Sequence, residues 1–190
     1  MLYKIAILVV RIITFFLFPL KAEGTENVPK DGAVIIAYNH TSNLDPVMAG
    51  ITCPRQLTFM AKAELFKNKL FGGLIKRLGA FPINRGTGDI GAFKTALGIF
   101  KSGGAMLIFP EGGRVKEGQT RSAKPGVAML ATRGRVPVIP VHIKNGYRWM
   151  RTVTVVYGKP MELTEYYGKK LTQEETQALA DSVLENIYAL

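Results

Sequence analysis

The chain has 190 residues, room for one ordinary domain and not comfortably two. Hydrophobic residues make up 47% and charged residues 21%, a composition that supports a packed core and excludes global disorder. A formal charge of +11 points to an anionic partner, while a single cysteine, Cys53, and two histidines, His40 and His142, exclude a disulfide scaffold and a Cys/His zinc cage.

The first twenty residues, MLYKIAILVVRIITFFLFPL, are the most apolar stretch. Phe18-Pro19-Leu20-Lys21 is a poor cleavage site for a signal peptide. A spanning helix wants about 20 uninterrupted apolar residues, and Arg11 breaks the run. The pattern favours an interfacial helix. Lys4, Arg11 and Thr14 share one face with Lys21 just beyond, and Ile5, Leu8, Ile12, Phe15 and Phe16 cover the rest. Three cations with no acid before Glu23 suit an anionic leaflet. Residues 1–22 are thus expected to form a monotopic membrane-associated helix and residues 23–190 the folded domain, with a buried core helix as the alternative for the first segment.

From Gly32 onward strand and helix patterns alternate. Ala33–Tyr38 is an apolar, β-branched run of buried-strand type. Asp45-Pro46 reads as a helix start, Pro suiting the first helical position and Asp the cap. Leu57–Ala61 is a second strand, Leu65–Leu78 a helix with a weak point at Gly72-Gly73, and Ala80–Ile83 a third strand. A helix over Ile90–Lys101 precedes the strand Ala105–Pro110, and Pro125–Thr132 is helical. Val136–Ile143 is a strand whose prolines predict an edge or a bulge, and Thr152–Tyr157 is another. Thr172 and Glu175 form a capping box for a last helix, with Leu179, Val183, Leu184, Ile187 and Leu190 inward. This is an α/β domain, a largely buried central sheet flanked by helices.

Two segments after strands carry chemistry. In Asn39-His40-Thr41-Ser42-Asn43-Leu44-Asp45, the histidine and aspartate would lie about 140° apart on a helix of ~3.6 residues per turn and could not pair. In a loop turning into a helix at Pro46 they can. Asp45 would then accept from one ring nitrogen of His40 and leave the other as a base; the plainer alternatives are a helix cap for Asp45 and a polar loop residue for His40. None of the four serines lies in Gly-x-Ser-x-Gly, and Cys53 has no motif around it, so the hydroxyl to be activated belongs to the substrate. The second segment is Phe109-Pro110-Glu111-Gly112-Gly113-Arg114, where glycines allow amides to approach an anion and Arg114 suits phosphate. Gly79-Ala80-Phe81-Pro82-Ile83-Asn84-Arg85-Gly86 repeats the order strand, arginine, glycine. Charge follows: between Lys101 and Arg151 ten basic residues face only Glu111 and Glu117.

Together these segments resemble the glycerolipid acyltransferase family, specifically the 1-acyl-sn-glycerol-3-phosphate acyltransferases. Asn39 to Asp45 is similar to the family's N-H-x-x-x-x-D block, Gly79 to Arg85 to its second block, Phe109 to Arg114 to its F-P-E-G block and Val136 to Val141 to its proline-bearing fourth block. The likeness runs over roughly residues 24 to 160. It implies that His40 is a general base oriented by Asp45, and that Arg85, Glu111, Gly112, Gly113, Arg114 and, after the third block, Lys124 bind substrate. The fourth block is associated with the acyl-chain side. It further implies a lysophosphatidic acid acceptor, an acyl-acyl carrier protein or acyl-CoA donor, no metal or redox cofactor, and peripheral or monotopic attachment at the cytoplasmic face of the cell membrane. Another acceptor of the same kind, glycerol 3-phosphate or another lysophospholipid, remains an alternative. Asn84 and Val115 depart from the family's usual Asp and Ser and bear on acceptor preference.

Rival readings leave residues unexplained. Gly86-Thr87-Gly88-Asp89-Ile90-Gly91 matches a dinucleotide fingerprint, but it gives His40, Asp45 and Arg114 no role. A non-catalytic basic membrane-binding module uses the charge and ignores the same three. Nucleic acid is a poorer partner still, with aromatics at 9% and no reader motif, and none is expected.

Overall fold

Alternating apolar strands and helices assemble into a mixed sheet with helices on both faces. The computed structural model describes residues 2–84, 88–115 and 121–190. Strands β1 (Leu20–Glu23), β2 (Val34–Tyr38), β3 (Leu57–Lys62), β4 (Ala80–Ile83), β5 (Ala105–Ile108), β6 (Val138–Lys144) and β7 (Val153–Tyr157) lie in the order β1-β7-β6-β2-β5-β3-β4. Every neighbouring pair is parallel except β6–β7. β2 and β5, flanked on both sides, are buried along their whole length, which is why they read as unbroken apolar runs.

The pleat of β2 divides the core. Ile35 and Ala37 face helices α4 (Ile90–Lys101), α5 (Gly126–Gly134) and α6 (Gln173–Tyr188). Val34, Ile36 and Tyr38 face α2 (Asp45–Thr52) and Phe18. The predicted capping box is formed: Glu175 N–H donates to Thr172 Oγ1 at 3.1 Å and Thr172 N–H to Glu175 Oε2 at 2.7 Å.

Several expectations are corrected. The N-terminal helix, α1, covers Leu2–Leu17 and not residues 1–22. Leu20–Glu23 is instead an edge strand parallel to β7, where Lys21 pairs with Glu23 at 2.7 Å. No helix among the described residues is long and apolar enough to cross a membrane. The polar residues of α1 divide: Lys4 is exposed, whereas Thr14 and the guanidinium of the partly exposed Arg11 engage the domain. Thr14 is buried, and Arg11 donates through Nε and Nη2 to the Ile51 carbonyl at 3.1 and 2.7 Å, satisfying the last turn of α2 with a cation. Ile7 and Val10 pack inward with it, and the outward face carries Ile5, Leu8, Ile12, Phe15 and Phe16.

The helix expected over 65–78 is split. Ala63–Phe66 is a 3-10 turn, and α3 runs Lys69–Arg77 from an Asn68 cap that accepts from Leu70 and Phe71 N–H at 3.1 and 3.0 Å. Gly72 is where the two pieces touch, since a Cβ there would lie 2.7 Å from Phe66 Cα. β6 is no edge strand; it lies between β2 and β7. Pro140 is tolerated because the ladder to β7 begins one residue later, at Val141↔Tyr157, and the Val138↔Met161 bridge lies before it. No partner needs the missing N–H. Asp45 is not the cap of α2. That place belongs to Leu44, and the carboxylate turns elsewhere.

Candidate active site

His40 and Asp45 meet in the loop between β2 and α2. Asn39 anchors that loop: its side chain donates to the Ile143 carbonyl at 3.2 Å and accepts from the Ile143 N–H at 2.7 Å. Leaving the strand this way turns His40 back toward the first turn of α2. His40 Nδ1 then lies 2.8 Å from Asp45 Oδ2. The same oxygen accepts from the N–H groups of Thr41 and Ser42 at 2.7 and 2.8 Å, and Oδ1 accepts from the Tyr147 hydroxyl at 2.5 Å. Asp45 is fully buried, and these donors satisfy both of its oxygens. With Nδ1 engaged, Nε2 is the nitrogen left to accept a proton. The imidazole stacks on Phe109, ring centroids 4.0 Å apart, which fixes its plane.

The loop after β5, the strand beside β2, closes on the same place. His40 N–H donates to Glu111 Oε1 at 3.3 Å, and Val115 N–H to the His40 carbonyl at 2.9 Å, so Arg114 is one residue from a direct backbone link to His40. Gly112 has φ 68°, in the left-handed region, and a Cβ there would meet Lys124 Cγ at 2.9 Å. Lys124 thus lies along the glycine turn, tied by its N–H to the Pro110 carbonyl at 2.7 Å. Gly113 and the exposed Arg114 complete the turn. Glu111 is buried; its Oε1 also accepts from the Tyr188 hydroxyl at 2.9 Å, and its Oε2 has no partner among the described residues. Burial, partly offset by the Tyr188 hydrogen bond, pushes its carboxyl above the usual range.

Of the residues expected from sequence, His40, Asp45, Glu111, Gly112, Gly113, Arg114 and Lys124 converge at the carboxyl ends of β2 and β5, a place where open α/β sheets bind ligands. Arg85 lies outside the described residues, as do Gly86 and Thr87 of the dinucleotide-like fingerprint. Asn84, just before Arg85, is held by Asp89, whose Oδ2 accepts from its N–H at 2.9 Å. Val136, Val138, Ile139 and Val141 are buried in the two cores. Cys53 is buried with its thiol pushed up to about 11, which leaves it un-ionised and inert. Sequence reasoning missed Tyr147, Tyr188 and the stacking role of Phe109. Only Phe109, an aromatic directly after a strand and inside a motif, left a signal.

Comparison with known proteins places the chain in a family. The acyltransferase family model matches residues 19–144. The 1-acyl-sn-glycerol-3-phosphate acyltransferase of Bacillus subtilis is 32% identical over 140 residues, covering 73% of this chain and 69% of that protein. The Streptococcus pneumoniae enzyme of the same name is 32% identical over 168 residues, 84% of this chain but 61% of its own length. The crystal structure of the 1-acyl-sn-glycerophosphate acyltransferase PlsC from Thermotoga maritima superposes with a TM-score of 0.75 at 26% identity, covering 99% of this chain and 76% of that one. The carboxyl-end cluster, the family match over most of the sheet and these relatives together make the chain a member of the acyltransferase family and an acyltransferase enzyme.

Proposed function

We propose that the chain transfers an acyl group from an acyl thioester to the sn-2 hydroxyl of 1-acyl-sn-glycerol 3-phosphate, giving phosphatidic acid, with His40 as general base and Asp45 as its orienting partner. The observation that carries this reading is the buried His40 Nδ1–Asp45 Oδ2 bond of 2.8 Å beside the Glu111–Arg114 turn. Acceptor phosphate docks on Arg114, with Lys124 and Arg85 adding charge, and brings the free hydroxyl to His40 Nε2. The hydroxyl oxygen attacks the thioester carbon as its proton passes to Nε2. The imidazolium formed is stabilised across the Nδ1–H bond by Asp45. The tetrahedral oxyanion collapses, the C–S bond breaks, and the departing sulfur, of pKa about 8.5, takes the proton from Nε2. The donor is acyl-acyl carrier protein or acyl-CoA; the basic character of the middle of the chain supports an acidic carrier.

The same reading makes α1 a monotopic anchor at the cytoplasmic face of the cell membrane, where a lipid acceptor and a thioester donor meet. Its support is the outward apolar face, with Phe15 and Phe16 at 77% and 71% exposure.

The test is an assay of the purified protein with lysophosphatidic acid and glycerol 3-phosphate as acceptors and both thioesters as donors. Lysophosphatidic acid is the expected acceptor. His40→Ala and Asp45→Asn are each expected to lower turnover by ~100 to 10,000-fold with the fold retained by circular dichroism. Near wild-type turnover in His40→Ala ends the general-base reading, and a preference for glycerol 3-phosphate replaces the acceptor.

A further inference from the structure

Nothing in the motif blocks explains why Asp45 Oδ1 should be bonded from a distant loop. We propose that Tyr147 is a positioning residue of the dyad, its hydroxyl holding Asp45 Oδ1 so that Oδ2 stays aligned with His40 Nδ1. The inference rests on the general-base reading above and goes beyond it.

Three donors share Oδ2: the imidazole and the N–H groups of Thr41 and Ser42. Oδ1 takes its hydrogen bond from Tyr147, at 2.5 Å. Since Asp45 is buried, removing that donor leaves a charged oxygen without a partner and frees the carboxylate to turn about its Cβ–Cγ bond. Tyr147 comes from the loop after β6, beyond the residues matched by the family model. Burial and the Asp45 charge push its hydroxyl well above the usual phenol range, so it remains a donor throughout the working pH. Among the described residues, Glu111 and Tyr188 are the other titratable groups near the pair; Tyr188 donates to Glu111, Glu111 accepts from the His40 N–H, and neither supplies a donor to Asp45.

The position of Tyr147 is itself set by the junction of α1 and β1. Its ring lies 5.8 Å from that of Phe18. The loop that bears it is pinned by Met150 N–H to the Leu17 carbonyl at 3.1 Å and, at the start of β7, by Val153 N–H to the Pro19 carbonyl at 2.9 Å. The base is therefore aligned through the end of the same helix that carries the outward apolar face.

A phenol donor draws charge from the carboxylate and weakens its pull on the imidazolium. Tyr147→Phe keeps the ring on Phe18 and removes only the hydroxyl. It is expected to lower kcat about tenfold, as for loss of a hydrogen bond to a charged group, with KM little changed and the acid limb of the pH–rate profile moved upward. Substitution of Tyr147 by 3-fluorotyrosine, a stronger donor of nearly the same shape, is expected to move that limb downward. Combined with His40→Ala, Tyr147→Phe is expected to cost nothing more, because Tyr147 acts through the dyad. Wild-type kcat with an unmoved limb in Tyr147→Phe, or an equal loss in the His40→Ala background, overturns the proposal. Activity surviving in His40→Ala alone overturns the general-base reading instead, so the two failures are distinguishable.

Discussion

At the scale of single residues, the site combines a fully engaged acid with a strained one. Asp45 spends both oxygens on donors, while Glu111 leaves Oε2 buried without a partner among the described residues. Because burial raises the Glu111 carboxyl above its ordinary value of 4.5, the folded state holds its proton more tightly than the unfolded chain does. Stability is therefore lost as pH rises from that ordinary value through the raised one, and below both values this group contributes nothing. Glu111→Gln is expected to raise the melting temperature at pH 8 and leave it nearly unchanged at pH 4; a flat difference across that range in thermal denaturation would contradict the assignment. Arg114 is exposed, and the proposed function gives it the acceptor phosphate. Arg114→Ala is expected to reduce efficiency toward the phosphate-bearing acceptor about ten- to a hundredfold, one charge-assisted hydrogen bond. Donor use should scarcely change, and equal loss with an acceptor lacking phosphate would mark the arginine as structural. His40 and Asp45 were legible from their spacing and block. Tyr147, 102 residues from its partner, was not, since no local pattern records a contact made by chain return.

Among the elements, α1 shows how residues of one helical face can have different partners. The polar stripe of Lys4, Arg11 and Thr14 was legible, but Lys4 is exposed, Thr14 is buried, and Arg11 serves the carbonyl end of α2. Periodicity finds two faces of a helix, whereas which one meets the protein depends on what the neighbouring element lacks. The outward apolar face can be tested without disturbing the inward one. Leu8→Glu, Ile12→Glu and Phe16→Glu together are expected to abolish flotation with anionic vesicles and to lower activity on vesicle-borne acceptor. The melting temperature should hold, because all three are exposed. Unchanged flotation of the triple variant would remove α1 as the anchor. β6 was misjudged for a related reason: its prolines implied an edge, but a central strand accepts Pro140 where its second neighbour has not yet begun to pair.

For the molecule as a whole, a charge of +11 and a pI near 9.8 imply attraction to anionic surfaces beyond any one contact. Raising salt shortens the screening length from about 10 Å at 0.1 M to about 3 Å at 1 M. Binding to anionic vesicles is expected to weaken over that range in co-sedimentation, and binding to neutral vesicles, held by apolar contact, to persist. Identical salt dependence for both vesicle types would deny the charge a role. The sequence by itself determined the α/β class, the succession of strands from β2 onward and the two motif segments that follow β2 and β5, because apolar period, turn residues and motif spacing are local properties that each segment carries alone. Tertiary structure alone decided that residues 20–23 form a strand, that Arg11 of α1 bonds the Ile51 carbonyl, that the fourth block is buried and that Tyr147 reaches Asp45. Each of those depends on a partner distant in the chain whose unsatisfied carbonyl, carboxylate or strand edge does not exist until the fold brings the two together.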